Sequence, residues 1–574
     1  MSDFKPSTFQ EDIFNHCRRA KIRARKGMKY NFQCPSGAGS GKSTTLRKCV
    51  EVIKEANEDD SILVLQFNTH IKKEMEEKLK DYDDVTVLTS HSAGNAALKK
   101  SKFKGRGQIN KSKYYGICRT LIEDRYNELV SQADTLVLDG DEDKKKESKR
   151  KNVNSWTSQL TEVVKMAMNT LSKTDYVSLF NMIEHHGITV KNNLVLNLVK
   201  DVIDTGLELA KKGQIGFEDM IYIPVSQDLK FQKYDWVLCD EAQDFNAMQW
   251  ELVIRHLGKN GIIGFFGDKN QAIMGWAGAM SGGMTKFRKK MNARTLPLPI
   301  CYRCPSKVLD LARILVPDIQ NRPDCPEGIV EVIKAPDIIL NSKPGDYILC
   351  RLTAPLVKLC IEFIKRNIRA KVKGRDLGKK LSDLYKEVVD EAKTAGSRCF
   401  TTDEFIGFLR EYSESETIRA TTKKDSTSKI EAMKDNFAAL EAVAYYVSNS
   451  HKGSSHGMID AQILYMFSEE VGEEFVTLCT IHRAKGLEAD RVTIIEFDKC
   501  PLKPRKPEKK EFYEQENSCV YVGITRAKKE LYFQGAGMED IEHVIAHLKA
   551  AKASVDNYGA QPTVNESRQP ISVD

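Results

Sequence analysis

The chain has 574 residues, 41% hydrophobic and 29% charged, and 88 basic against 80 acidic side chains give a formal net charge of +8. That length suggests about three to five domains or subdomains around a sizeable core, and no run approaches the ~18 uninterrupted apolar residues of a membrane-spanning helix. The mild basic excess permits a polyanionic partner without demanding one.

The N-terminal "MSDFKPSTFQEDIF" has neither the basic start nor the apolar centre of a signal peptide. A cytoplasmic location is therefore expected, or a nuclear one in a eukaryote, and not secretion. The 14 cysteines sit in apolar contexts such as "RKCVEVI" and "WVLCDE", as reduced buried thiols do. Cys301 and Cys304 of "CYRC" have CxxC spacing, but a zinc site wants four ligands and Cys325 is the sole nearby third candidate, so two ordinary thiols are the preferred reading.

In chain order, "YNFQCP" predicts a strand ending at a glycine-rich turn, and "STTLRKCVEVIKEA" has helical spacing. "SILVLQF" reads as a buried strand and "HIKKEMEEKLKDY" as a helix, which together make the pattern of a parallel α/β sheet. From about Ala93 to Gly216 polar helical stretches surround a charge run, "DGDEDKKKESKRK" (139–151), expected as a solvated loop or helix end. Buried strands return at "YDWVLCDEA" and "GIIGFFGD", so the segment between reads as a helical insertion in one α/β domain. A second α/β region starts near Leu296, with strands at "DYILCRL", "FVTLCTIH", "VTIIEF" and "ELYFQG". A second polar helical segment, roughly 357–469 and including "SKIEAMKDNFAALEAVAYYV", interrupts it. A polar tail from about 544 is expected to be disordered.

The strongest chemical signal is "CPSGAGSGKSTTL". Gly37, Gly39 and Gly41 let backbone N–H groups turn inward around phosphate oxygens, Lys42 brings positive charge to the β and γ phosphates, and the Ser43 hydroxyl can ligate Mg²⁺. Ser36 holds the position of the first glycine in GxxxxGK[ST]; a GKS that follows a strand and opens a helix still favours nucleotide binding over a plain glycine-rich turn. Asp240 ends the apolar run of "YDWVLCDEAQD", where it would hold Mg²⁺ through water, and Glu241 is placed to activate an attacking water.

With those residues in place, the chain resembles a superfamily 1 DNA helicase of the UvrD/Rep/PcrA type. The resemblance runs in order through "TFQEDIF", "SGAGSGKST", "VLQFNTHIKKEM", "VLTSHSAG", "DEAQD", "GDKNQAIMGWAGA", "PICYRCP", "TIHRAKGLEADRV" and "YVGITRAKKELYF". It implies two RecA-like parallel-sheet α/β domains, each interrupted by a helical insertion. The first would comprise 1–92 and 217–296 with an insertion at 93–216; the second 297–356 and 470–543 with an insertion at 357–469; 544–574 would be the tail. The second insertion is short, as in the compact phage-type or F-box-associated members, which makes autoinhibition by a large rotating insert doubtful.

The resemblance also implies roles. ATP with Mg²⁺ would be held by Ser36, Gly37, Ala38, Gly39, Ser40, Gly41, Lys42, Ser43 and Thr44, with Gln10 on the adenine edge, Tyr302 stacked on the base and Glu488 at the ribose. Thr44 stands where many relatives place an adenine-packing Arg. Mg²⁺ would rest on Ser43 and Asp240; Gln271 would sense the γ-phosphate, and Arg303 and Arg526 would act on it as arginine fingers. Trp276 would stack on a base of single-stranded DNA, and Phe67, Asn68, Ser90, His91 and His482 fall at further DNA positions. Met274 and Gly275 replace an aromatic and a basic residue common in relatives.

The expected activity is that of an ATP-dependent helicase moving 3′ to 5′ on single-stranded DNA and acting at single/double-strand junctions. Serving replication, repair or recombination would each fit. Alternatives left open are a translocase that strips proteins from DNA, a nucleotide-switched binding protein with negligible turnover, and a motor on RNA.

Overall fold

The computed structural model of the protein describes residues 4–24, 30–66, 69–103, 109–131, 142–188, 190–273, 275, 278–279, 282–394, 396, 401–422, 427–451, 453–468, 474–504 and 508–558. The chain divides into two compact units, Met1–Gly37 with Gly41–Pro299, and Ala38–Ser40 with Ile300–Asp574.

The first unit begins with α1 (Thr8–Ala24), β1 (Phe32–Pro35), α2 (Lys42–Ala56), β2 (Ile62–Gln66), α3 (Thr69–Leu79), β3 (Val85–Thr89) and α4 (Ser90–Lys99). Helices α5 (Lys113–Asp124), α6 (Tyr126–Ser131), α7 (Glu142–Thr170), α8 (Tyr176–His186), α9 (Val199–Lys211) and α10 (Asp219–Ser226) follow. The unit closes with β4 (Tyr234–Cys239), α11 (Ala247–His256), β5 (Leu257–Gly267), α12 (Gly283–Met291) and β6 (Arg294–Thr295). Its six strands lie in the order β3-β2-β4-β5-β1-β6, every pair parallel. All strand C-termini therefore share one edge, where open α/β sheets bind ligands.

Both faces of this sheet are covered, which is why its strands are continuously apolar. Side chains alternate between two cores: Ile62 and Val64 of β2 and Trp236 and Leu238 of β4 pack with α1, α2 and α3. Leu63, Leu65, Val237 and Cys239 face α4, α10, α11 and α12. Leu46, Cys49, Val50 and Ile53, three or four residues apart, give α2 its buried stripe. Ala93 and Ala97 place α4 in the sheet's own core, so this helix packs with the sheet although the insertion was expected from 93. The helices from α5 to α9 build a separate core around Trp156, Leu160 and Val163. The charge run is helical from Glu142, inside the 29 residues of α7, because the apolar positions downstream nucleate a helix that its polar residues extend; residues 139–141 lie outside the described residues.

The second unit holds β7 (Ile300–Cys301), α13 (Ser306–Leu315), β8 (Gln320–Asn321), β9 (Ile329–Val332), α14 (Ala335–Asn341), β10 (Tyr347–Cys350), α15 (Ala354–Lys365) and β11 (Ala370–Lys373). Next come α16 (Arg375–Thr394), α17 (Thr402–Thr422), α18 (Thr427–Ser450), α19 (Gly457–Met466) and β12 (Phe467–Ser468). Last are β13 (Val476–Thr480), β14 (Ala489–Ile494), α20 (Lys510–Ile524), β15 (Ala527–Phe533) and α21 (Ile541–Asp556). Seven parallel strands lie in the order β12-β11-β13-β10-β14-β15-β9.

Two expectations are corrected here. The stretch expected as a helical insertion from 357 contains β11, an integral strand whose Ala370 and Val372 are buried beside β13. The tail expected to be disordered from 544 begins as α21, since Val544, Leu548 and Ala551 form a buried helical stripe. Fold class stands as expected: mixed α/β with two large parallel sheets. Among the described residues no helix is long and apolar enough to cross a membrane.

A buried ion pair ties the first insertion to the first sheet. Lys113 of α5 and Asp219 of α10 meet with side chains 2% and 0% exposed. Asp219 also accepts from Tyr114 Oη at 2.6 Å and from the Gly216 N–H at 2.7 Å, while Lys113 Nζ donates to the Gly206 carbonyl of α9 at 2.7 Å. Burial lowers the Lys113 pKa, and Asp219 opposes that shift. Removing one partner of such a pair strands the other charge, at about 3–5 kcal/mol. Asp219→Ala is therefore expected to lower the urea midpoint of the first unit markedly, read by circular dichroism; an unchanged midpoint would show that the pair holds nothing together.

Candidate functional site

Among the described residues, the candidates of the first unit other than Gln10, which lies in α1, follow the C-terminal ends of strands. The glycine-rich loop follows β1, Asp240 and Glu241 follow β4, Asp268 and Gln271 follow β5, and Ser90 and His91 follow β3. Because the strands are parallel and β1, β5 and β4 are neighbours, three loops distant in sequence meet at one edge.

In the loop after β1, Gly39 and Gly41 have φ of 62° and 72°, the left-handed region where a side chain is strained. Ser36, in the position of the first glycine, turns its hydroxyl back to the Cys34 carbonyl at 2.9 Å, and its N–H donates to the Gly267 carbonyl. Lys42 Nζ lies 3.7 Å from Glu241 Oε1, and Ser43 Oγ donates to Asp240 Oδ2 at 3.2 Å. Gln10 is buried: its Nε2 donates to Thr45 Oγ1 at 2.9 Å and its Oε1 accepts from the Ser7 N–H at 3.0 Å. Thr44 is exposed.

These residues fit a nucleotide with a divalent cation. Asp240 is fully buried, and its carboxyl is pushed up to about 6, first by burial and then by Glu241, against the pull of Lys42 and Ser43. A cation on Ser43 and Asp240 would relieve that cost. Ser40 Oγ, in the same loop, is buried without a hydrogen-bond partner.

Glu241 itself has φ 50° and ψ 37°. A non-glycine residue in this region costs on the order of 1–3 kcal/mol, and such strain persists where surroundings over-determine it. Here Glu241 N donates to Asp240 Oδ1 at 2.9 Å, and Gln243 Nε2 donates to Glu241 Oε2 at 2.5 Å. The Asp268 N–H donates to Gln243 Oε1 at 3.0 Å, and Gln271 Nε2 donates to Asp268 Oδ2 at 2.8 Å. Burial raises the Asp268 pKa, opposed by Lys42 and Gln271.

In the second unit Arg303 and Glu488 form an ion pair at 2.5 Å. Arg526 is 1% exposed, and its guanidinium donates to the carbonyls of Val522 and Leu487 at 2.9 and 3.1 Å. Thr525 links the two arginines, its carbonyl accepting from Arg303 and its hydroxyl from Arg526, both at 3.2 Å. Tyr302 is half-buried. His482 has Nε2 at 3.5 Å from Cys519 Sγ, and burial lowers its pKa to about 4, with Arg351 adding to the shift.

Of the DNA candidates, Phe67, Asn68 and Trp276 lie outside the described residues. Ser90 is buried at the start of α4, capped by Thr89. His91 stacks on Phe217 with ring centroids 4.1 Å apart, and burial lowers its pKa to about 4. Phe217 is 40% exposed, an aromatic face beside the strand-end loops that sequence reading missed. Its signal was an aromatic at the head of "FEDMIYIPV", with no periodic reason to be there. Thr45, Gln243, Asp268 and Thr525 were missed as well; Gln243 and Asp268 stand inside the quoted motifs "DEAQD" and "GDKNQAIMGWAGA".

Residues 19–292 match the UvrD/REP helicase N-terminal domain. A DNA helicase II of Rickettsia typhi is 24% identical, over 89% of this chain and 91% of its own length. These similarities support a superfamily 1 DNA helicase of the UvrD type. Shorter matches include a DNA helicase II of Haemophilus influenzae, 34% identical over 16% of this chain and 12% of the relative. An ATP-dependent DNA helicase PcrA of Leuconostoc citreum is 28% identical over 19% of this chain and 16% of the relative. This UvrD-type family is one of ATP-binding, DNA-binding helicases, and roles in repair and replication fit it.

Burial of His91 fixes its charge state near neutral pH. A histidine with a folded pKa near 4 and an unfolded pKa near 6.5 is neutral at pH 7; it contributes stability above pH 6.5, lost as pH falls towards 4. His91 is therefore expected to present an uncharged ring at pH 7. NMR titration of the imidazole should give a midpoint near 4, and a midpoint above 6 would contradict the stacked geometry.

Proposed function

We propose that this chain is an ATP-dependent DNA helicase that translocates 3′ to 5′ on single-stranded DNA and unwinds duplex at single/double-strand junctions. The observation that carries the reading is the convergence of Lys42, Ser43, Asp240, Glu241 and Gln271 on one sheet edge, beside the strand-end residues Ser90 and His91. Similarity to UvrD-type helicases supports the same reading; polarity rests on the resemblance alone.

In this proposal Lys42 and the loop N–H groups hold the β and γ phosphates of ATP. Mg²⁺ bound at Ser43 and Asp240 would neutralise phosphate charge. Glu241 accepts the proton of the attacking water at its carboxylate, in the orientation that Gln243 gives it. Arg303 and Arg526 supply the remaining positive charge, Tyr302 and Gln10 hold the adenine, and Glu488 the ribose. Trp276 and Phe217 offer faces for bases, a sequence-tolerant contact of about 1–3 kcal/mol each.

Strand displacement on partial duplexes carrying either a 3′ or a 5′ single-stranded tail tests the proposal, with Glu241→Gln as control. Unwinding of the 3′-tailed duplex alone, abolished in the variant, is the expected outcome. Unwinding from the 5′ tail alone overturns the polarity. DNA-stimulated hydrolysis without unwinding would make the protein a translocase that displaces bound proteins.

A further inference from the structure

The side chain that joins the hydrolytic carboxylate to the loop after β5 is Gln243, and its geometry exceeds what packing needs. It lies in the short turn Ala242–Asp244 that follows Glu241, and it is 4% exposed. Its amide donates to Glu241 Oε2 and accepts from the Asp268 N–H at once. An amide can do both, whereas a carboxylate could not donate to Glu241 and an ammonium could not accept from Asp268.

The neighbouring strand is shaped to admit it. Gly267 is the last residue of β5; a Cβ there would lie 2.4 Å from Gln243 Oε1, 2.7 Å from Met284 Sδ and 3.1 Å from Gln243 N. Asp268 in turn holds Gln271 through its carboxylate. Hydrogen bonds thus run unbroken from Glu241 through Gln243 and Asp268 to Gln271, at the head of the segment that contains Trp276. Glu241 needs such a hold, because its left-handed backbone places it outside any regular element.

We propose that Gln243 is a positioning residue that sets the orientation of Glu241 according to the conformation of the segment after β5, so that hydrolysis responds to DNA. This rests on the helicase reading above for the role of Glu241 and for DNA as the stimulus. A purely structural Gln243 would lower stability and turnover with and without DNA alike. A coupling Gln243 changes the ratio of the two.

The test is steady-state ATP hydrolysis by the full chain with and without a poly-dT oligonucleotide, for wild type, Gln243→Leu, Gln243→Glu and Gly267→Ala. Leu keeps approximate volume without donor or acceptor; Glu keeps the acceptor for Asp268 but repels Glu241. Gly267→Ala displaces the amide, and the Met284 thioether with it, while leaving residue 243 unchanged. The expected result is that DNA stimulation falls about tenfold or more in all three while KM for ATP stays within about threefold, the signature of a lost transition-state interaction. Stimulation kept within about twofold of wild type in Gln243→Leu overturns the inference. Should that variant not fold, the same ratio in Gly267→Ala and Gln243→Glu decides. Wild type without any DNA stimulation overturns the helicase reading instead, which separates the two failures.

Discussion

Three carboxylates, those of Asp240, Glu241 and Asp268, gather at the ends of two neighbouring strands, and two of them are fully buried. Burying negative charge is costly unless it is paired and hydrogen-bonded. Much of the local architecture answers that cost. Lys42 stands near Glu241, Ser43 donates to Asp240, and Gln243 and Gln271 each turn an amide N–H onto a carboxylate. Even so, burial keeps the Asp240 carboxyl protonated up to about pH 6. A cation with phosphate bound there would complete the balance.

The same constraint explains why so many residues here depart from ordinary geometry. Glu241 occupies the left-handed region, Gly39 and Gly41 do so without a side chain, and Gly267 leaves room for an amide where any Cβ would collide. Strain of this kind is expected where function requires a fixed orientation. Stiff parallel strands, covered on both faces, supply the frame against which the strained loops are held.

Much of this was legible in the sequence. Continuous apolar runs followed by glycine, Asp-Glu or Asn-Gln marked the strand ends, because a parallel strand buried on both faces can change character abruptly only where it leaves the sheet. Strand neighbours were not legible. Gln243 and Asp268 become partners through the adjacency of β4 and β5, and no spacing in the chain states that adjacency. β11 was hidden because Ala370 and Val372 alternate with Lys371 and Lys373, a weak pattern amid helices. The C-terminal α21 was hidden because its stripe is narrow and flanked by Lys and polar residues. Phe217 was missed since an exposed aromatic has no periodicity to announce it.

The second unit bears on where control resides. The helices α16 to α19 do not form a body of their own: Tyr385, Phe405, Leu440 and Ile463 share one core with Ile348, Val372 and Leu478 of the sheet. Asp435 of α18 accepts from the N–H groups of Thr353 and Ala354 at 2.6 and 2.7 Å, capping the start of α15 from within that core. Turning these helices against the sheet would expose apolar surface and strip that cap, and close-packed interiors do not deform in small continuous steps. The short connections at the strand ends are cheaper to rearrange: Thr525 already links the guanidinium groups of Arg303 and Arg526 through one backbone carbonyl and one hydroxyl. Within this unit the connections at Thr525 rest on single hydrogen bonds, whereas the helices rest on a shared core.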